Sequence, residues 1–230
     1  MEVLLVDLDD TLVPDQTARD EAMQATLTAF GSSTELSAVW AVVREEWRAS
    51  GLRSIPALAG VSSWEALWTD LSADLEGEAV QDGHAYQSRV WQRLLPTEDV
   101  AVVAEAFRSA REGRVGAFDW VPETLTTWAQ AMDLWCATNG SSWLQRRKLR
   151  LAGLQDRFSE VLISGELGVE KSDAHFHAQV AARLNQRGRT PIGVAGDSDA
   201  SDGALASFLG VRYLRVRPGV RPATAWFELP

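Results

Sequence analysis

Three carboxylates, Asp7, Asp9 and Asp10, follow an apolar run in VLLVDLDDTL, and three more, Asp197, Asp199 and Asp202, stand in GDSDASD. Carboxylates this close repel one another and resist leaving water unless a positive charge sits among them. A metal ion is the simplest such charge, and clustered carboxylate oxygens suit a hard, octahedral cation such as Mg²⁺. One of these carboxylates can also act as a nucleophile and form an aspartyl-phosphate. Phosphoryl transfer further needs donors for the phosphate oxygens and a cation against the growing charge. Thr138-Asn139-Gly140 offers a hydroxyl and backbone amides, and Lys171, in GELGVEKSD, offers the cation. Lysine usage sharpens this point. Of 22 basic residues only Lys148 and Lys171 are lysines, so a lysine in that loop points to a need for a compact point charge. Lys148 falls on a helix expected to be exposed.

These groups can work together only if the fold brings them to one place. Val3 to Val6 read as a short, fully buried strand, and 133–138, 160–164, 191–197 and 211–216 read as four more. Helical stretches at 124–131, 142–152, 173–187 and 199–209 alternate with them. Gly153 and Gly188 suit left-handed helix ends, and Asp173 suits an N-cap. Strand–helix alternation of this kind predicts an α/β fold with a parallel sheet and right-handed crossovers. Open sheets of that type bind ligands beyond the carboxyl ends of the strands, where Asp7, Asp9, Thr138, Asn139, Asp197 and Asp202 fall.

Residues 15–117 carry helix signals and almost no strand signals. Ser62 and Glu65 have capping-box spacing, and Thr97 is placed to cap the helix that stops at Gly113. The pairs Trp40/Trp47 and Trp64/Trp68 have helical spacing and are expected to line the core of a bundle. The expected organisation is an α/β core over 1–14 and 118–230, interrupted by an all-helical cap over 15–117. From that cap, Arg44, Arg48 and Arg53 either reach a substrate or form a solvated helix face.

VDLDDTL, CATNG, GVEK and GDSDASD, in that order and on those elements, resemble the four motifs of the haloacid dehalogenase (HAD) superfamily. The run from Ala137 to Asp173 resembles its phosphatase branch, with a helical cap inserted after the first motif. The likeness covers the first 15 residues and about 120–217. It implies a Rossmann-like core, Mg²⁺ as cofactor and a small phosphorylated metabolite as substrate. Asp7 would then be nucleophile and metal ligand, and Asp9 the general acid/base with its carbonyl on the metal. Thr138 and Asn139 would grip the phosphoryl group, and Lys171 would bridge it to Asp7. Asp197 would ligate the metal, and Asp202 would support the lysine or a metal-bound water. Asp10, where the family often has glycine or another small or polar residue, receives no chemistry. Ser172 and Ala174 replace the usual prolines beside Lys171, and Leu205 stands where glycine is common.

A phosphatase working through an aspartyl-phosphate is the reading this supports. A dehalogenase on the same core lacks an acid at the Asp9 position. A phosphomutase would differ in its cap, a phospho-acceptor switch would not need GDSDASD and a large cap, and a silent binding module has no missing catalytic residue to recommend it. Sugar phosphates, nucleoside monophosphates and phosphoglycolate all fit the reading. A net charge of −10 argues against nucleic acid or an acidic membrane as partner. Cys136 is the sole cysteine, which fits a reducing cytoplasm, and it is expected to be a packed thiol. No apolar run approaches the ~18 residues of a membrane span, and a strand starting at residue 2 leaves no room for a signal peptide. The three histidines lack zinc-site spacing.

Overall fold

The opening apolar run forms β1 (Glu2–Val6), the middle strand of a parallel sheet ordered β3-β2-β1-β4-β5. The other strands are β2 (Asp133–Thr138), β3 (Glu160–Ile163), β4 (Thr190–Gly196) and β5 (Arg212–Arg215). This is a computed structural model, and it describes residues 1–222, so the end of the expected 118–230 span lies outside the described residues. Successive β1 side chains face opposite ways. Leu4 and Val6 enter a core with Trp128 and Cys136, whereas Val3 and Leu5 enter another with Trp135 and Phe176. Both faces are therefore apolar, which is why the strand reads as an unbroken hydrophobic run.

Helices α1 (Asp15–Ala29), α2 (Leu36–Ala49), α3 (Leu71–Asp74), α4 (Glu78–Leu94) and α5 (Val100–Glu112) lie between β1 and the next sheet-forming region. They then give way to α6 (Val121–Ala131) ahead of β2. The insertion has its own core, in which Trp47 meets Tyr86 edge-on at 5.1 Å and Trp91 meets Phe107 at 5.3 Å. Trp40, Trp47 and Trp68 are buried there as the spacing suggests, but Trp64 and Trp68 flank a 3-10 turn (Glu65–Leu67) and not an α-helix. Trp64 is half-buried, and its indole N–H donates to Asp15 Oδ2 at 3.0 Å. Asp99, not Thr97, caps α5, because its carboxylate accepts from the N–H groups of Ala101 and Val102. The Thr97 hydroxyl reaches only Glu98.

The remaining helices are α7 (Ser142–Leu151), α8 (Ser164–Leu167), α9 (Ala174–Gln186) and α10 (Ala204–Leu209). Asp173 caps α9 by accepting from His175 N–H. Gly153 and Gly188 have φ of +67° and +61°, as left-handed helix ends require. The stretch expected as one helix over 199–209 opens with a π-turn (Asp199–Gly203) before α10. Leu205 is buried in the sheet core.

Helix α7 couples the two parts. Its buried stripe is Leu144, Gln145, Lys148 and Leu149, and Leu144 belongs to the core of the insertion. Lys148 is thus fully buried, not exposed as the sequence reading had it. The physical reason is helical geometry, since Lys148 lies one turn after Leu144 on the face that the insertion covers. Among the described residues no helix is long and apolar enough to cross a membrane.

Candidate active site

β1, β2 and β4 end at Val6, Thr138 and Gly196, so Asp7, Asn139 and Asp197 emerge together at one edge of the sheet. They line a cavity of about 220 Å³ that also includes Asp9, Thr138 and Lys171. Every site residue expected from sequence opens on it except Asp202, which lies just behind.

Asp7 is held from both sides. Lys171 Nζ donates to its Oδ1 at 2.5 Å, and the Thr11 hydroxyl donates to its Oδ2 at 2.9 Å. Lys171 Nζ also pairs with Asp202 Oδ1 at 2.5 Å and donates to the carbonyl of Ala137 at 2.7 Å. Burial opposes its charge, but Asp202 and Asp7 outweigh that and keep the ammonium firmly protonated. Its loop is fastened at two further points despite Ser172 and Ala174. Lys171 N–H donates to Asn139 Oδ1 at 2.8 Å, and His177 Nε2 lies 2.8 Å from the Lys171 carbonyl. His175 points outward and His177 inward, as their spacing requires. Asp202 packs under Gly196, where any side chain would collide with its carboxylate.

The backbone explains Asp10. Its φ is +56°, the left-handed region that glycine adopts freely and aspartate tolerates among the non-glycines. Its Oδ1 accepts from Gln16 N–H at 3.0 Å, so Asp10 shapes the turn that follows Asp7.

Carboxylate oxygens of Asp7, Asp197 and Asp202 lie within 4.8 Å of one another. Burial, reinforced by Asp7 and Asp10, pushes Asp197 up to about 6. Burial with Asp7 nearby pushes Asp202 up to about 7 against the pull of Lys171. One ammonium does not offset three carboxylates, and an all-oxygen donor set fits a hard divalent cation. The residues present therefore fit Mg²⁺.

A second charged cluster lies beside the first, and sequence reasoning missed it. Lys148 Nζ donates to both oxygens of Asp9 at 2.9 Å and to Glu65 Oε1 at 2.7 Å, and it pairs with Asp15 Oδ1 at 3.0 Å. Buried Arg111 from α5 donates to Asp15 Oδ1 at 2.6 Å and stacks over Trp68. Gln145 Nε2 donates to Asp9 Oδ2 at 2.8 Å and to Thr138 Oγ1 at 3.1 Å. Burial pushes Asp9 up to about 8, with Asp15 and Glu65 adding to it and Lys148 opposing. Burial also works against Asp15, yet Lys148 and Arg111 prevail and hold it below the usual carboxylate range. Within this network, burial thus makes Asp9 a weaker acid than an ordinary carboxyl, while Asp15 is made a stronger one.

Ser62 and Glu65 do form a capping box, with the Ser62 hydroxyl donating to Glu65 Oε2 at 2.8 Å and Glu65 N–H returning to Ser62 Oγ at 3.3 Å. The other oxygen of Glu65 is left for Lys148. One signal for that lysine was available, namely its i+4 spacing from Leu144 on an otherwise arginine-rich helix. Nothing in the local sequence pointed to Glu65 or Arg111 as its neighbours. Cys136 is buried in β2 and its thiol is pushed up by burial, as a packed thiol should be.

A haloacid dehalogenase-like hydrolase family model matches residues 1–207. The chain is 35% identical to a phosphoserine phosphatase of Thermus thermophilus, over 96% of this chain and 91% of the relative. Among solved structures it resembles the HAD-hydrolase YfnB of Bacillus subtilis, solved with magnesium bound, at a TM-score of 0.61 and 19% identity, covering 96% and 89% of the two chains. A 2-haloacid dehalogenase of Pseudomonas syringae aligns at a TM-score of 0.58 and 21% identity, over 97% and 89%. With its parallel sheet, inserted helices and acidic site at the strand ends, the chain belongs to the haloacid dehalogenase-like hydrolase family.

Proposed function

We infer that this hydrolase is a Mg²⁺-dependent phosphatase that cleaves a small phosphate monoester through an aspartyl-phosphate on Asp7. The observation that carries this reading is the placement of Asp9. It opens on the same cavity as Asp7, and burial pushes its carboxyl up to about 8, so a group suited to delivering a proton stands beside the nucleophile. A departing halide needs no proton, whereas an alkoxide does. An acid in that place therefore favours an oxygen leaving group.

Asp7 attacks phosphorus with one carboxylate oxygen while Lys171 and Thr11 hold the group in place. Asp9 passes its proton to the ester oxygen as the P–O bond breaks. Thr138 and Asn139 donate to the phosphoryl oxygens, and Lys171 offsets their charge in a pocket where such contacts are strong. Asp202 keeps Lys171 charged and aimed. In the second step the Asp9 carboxylate takes a proton from water as it attacks phosphorus and frees Asp7. Mg²⁺, held by Asp7, Asp197 and the Asp9 carbonyl, would supply further neutralisation of phosphate charge. The insertion over 15–117 acts as a cap that excludes water and selects the leaving group. The Thermus relative's name and a magnesium-bound fold neighbour support this reading.

Purified protein with Mg²⁺ should release phosphate from a panel of alkyl monoesters and release no halide from 2-haloacids. Halide release without phosphate release would overturn it.

A further inference from the structure

A second cavity, of about 280 Å³, adjoins the first, and Gly60, Ser62, Trp64 and Asn139 line both. Its distinguishing residues are Arg44, Arg48 and Arg53. Arg44 and Arg48 stand four apart on α2, and Arg53 follows on the turn Leu52–Ser54. All three are exposed, and among the described residues their side chains make no ion pair or hydrogen bond. That differs from the rest of the helix. Glu45 and Glu46, also on α2, are paired with Arg93 and Arg89 of α4. Like charges four apart on a helix repel, yet here the positive face is left unbalanced in a chain of net charge −10. Glu170 is the acidic residue on the lining and makes no ion pair with them, so the cavity keeps a surplus of positive charge.

The approach between insertion and core is built in. Gly60 has a φ of +74°, and a Cβ there would lie 2.5 Å from Asn139 Oδ1. The chain just after the arginine-bearing α2 and Leu52–Ser54 is therefore pressed, at Gly60, against Asn139. Each cavity alone falls below the ~300 Å³ at which ligand pockets begin, and their four shared lining residues put a ligand that fills the first within reach of the second.

We propose that Arg44, Arg48 and Arg53 form an anion subsite, and that the substrate is a small phosphate ester bearing a second anionic group, a carboxylate or a second phosphate, remote from the scissile phosphate. This rests on the phosphatase reading for the location of the first phosphate. Planar guanidinium forks bind either anion bidentately. They also steer a dianion into a site whose own carboxylates would otherwise repel it.

Three non-hydrolysable probes test it by calorimetry with Mg²⁺ present: 3-phosphonopropionate, propane-1,3-bisphosphonate and propylphosphonate. At least one of the first two should bind about tenfold or more tighter than propylphosphonate, on the scale of a charge-assisted contact, and their ratio identifies the second anion. In Arg44→Gln/Arg48→Gln/Arg53→Gln the anionic probes should fall to the affinity of propylphosphonate. Equal binding of all three by the native protein overturns the subsite, as does a preference that survives in the triple variant. Turnover of para-nitrophenyl phosphate separates the two readings. If it proceeds while the probes bind equally, only the subsite fails. If there is no turnover and no probe binds, both fail.

Discussion

Around Lys171 one ammonium faces Asp7 and Asp202, with Asp197 alongside, and around Lys148 two cations, Lys148 and Arg111, face Asp9, Asp15 and Glu65. Both clusters are short of positive charge, and they make up the shortfall differently. The first opens on the cavity with oxygens of three carboxylates converging, an arrangement that accepts a hard cation. The second lies against the insertion with Lys148 already seated among its carboxylates, and burial pushes one of these, Asp9, up to about 8, which favours a proton there. On the proposed reading, two neighbouring surpluses of carboxylate thus prepare two different things, a metal site with its nucleophile and a general acid.

The largest effect should come from the first cluster. Asp7→Asn keeps the shape but removes the attacking oxygen, so turnover should fall by roughly 10⁴-fold or more, as when nucleophiles are removed elsewhere. Rapid acid quench of the native protein with substrate should show a phosphate adduct on Asp7 by mass spectrometry. An adduct persisting in Asp7→Asn would place the nucleophile elsewhere.

Metal removal comes next. A chelator should abolish phosphatase activity, and Mg²⁺ should restore it. Because a ligand of the native state alone stabilises it, Mg²⁺ should also raise the melting temperature, and it should do so less in Asp197→Asn. Full activity in metal-free buffer would mean that the first cluster meets its shortfall with protons too, which would erase the contrast.

Exchanging each lysine for methionine tests the comparison directly. Lys171→Met should lower kcat by roughly a hundredfold or more, the scale of losing one electrostatic stabiliser of the transition state. Its damage to stability should be partly repaired by Mg²⁺, which can compensate the same carboxylates. Lys148→Met leaves Asp9, Asp15 and Glu65 without the ammonium they share, and these are not the carboxylates that converge on the metal position, so it should cost about 3–5 kcal/mol of stability with no Mg²⁺ rescue. Its kinetic loss should act through Asp9 and so be greater for an alkyl phosphate than for para-nitrophenyl phosphate, whose leaving group departs without a proton. If Mg²⁺ rescues both variants equally, the two clusters are one.

The same contrast explains what could be read from sequence. Asp7, Thr138 and Asp197 each follow or end a strand, and parallel strands place their carboxyl ends together, so the first cluster follows from local signals and topology. Lys148, Glu65, Asp15 and Arg111 meet across separations set by how the insertion lies on α7. Leu144 marks that contact, but an arginine-rich helix looked solvated, and the lysine was grouped with its charged neighbours. Trp64 packs against the core of the insertion as its spacing suggests, but the chain there makes a 3-10 turn in place of an α-helix, and this aims the indole at Asp15.

The smallest effect tests whether the second cluster depends on the frame that carries Arg111. Helix α5 presents Arg111 from its last turn and is capped at the other end by Asp99. Asp99 is exposed, and its Oδ1 accepts from Ala101 N–H at 2.8 Å and Val102 N–H at 3.3 Å. Losing such a cap costs about 1 kcal/mol, which lowers the melting temperature of a chain this size by roughly 2–4 °C. From Asp99 to Arg111 is about 18 Å along the helix at 1.5 Å per residue, and fraying at a helix start does not travel that far. Asp99→Ala should therefore lower stability by that small amount while leaving kcat within about twofold, a change worth under ~0.5 kcal/mol. Thr97→Ala, at the position that the sequence had suggested for the cap, should do neither, because its hydroxyl touches only Glu98. Thermal unfolding and steady-state kinetics on the two variants provide the check. A kinetic loss in Asp99→Ala comparable to that of Lys148→Met would show that Arg111 is held by the whole helix and not by Asp15 and Trp68 at its own end.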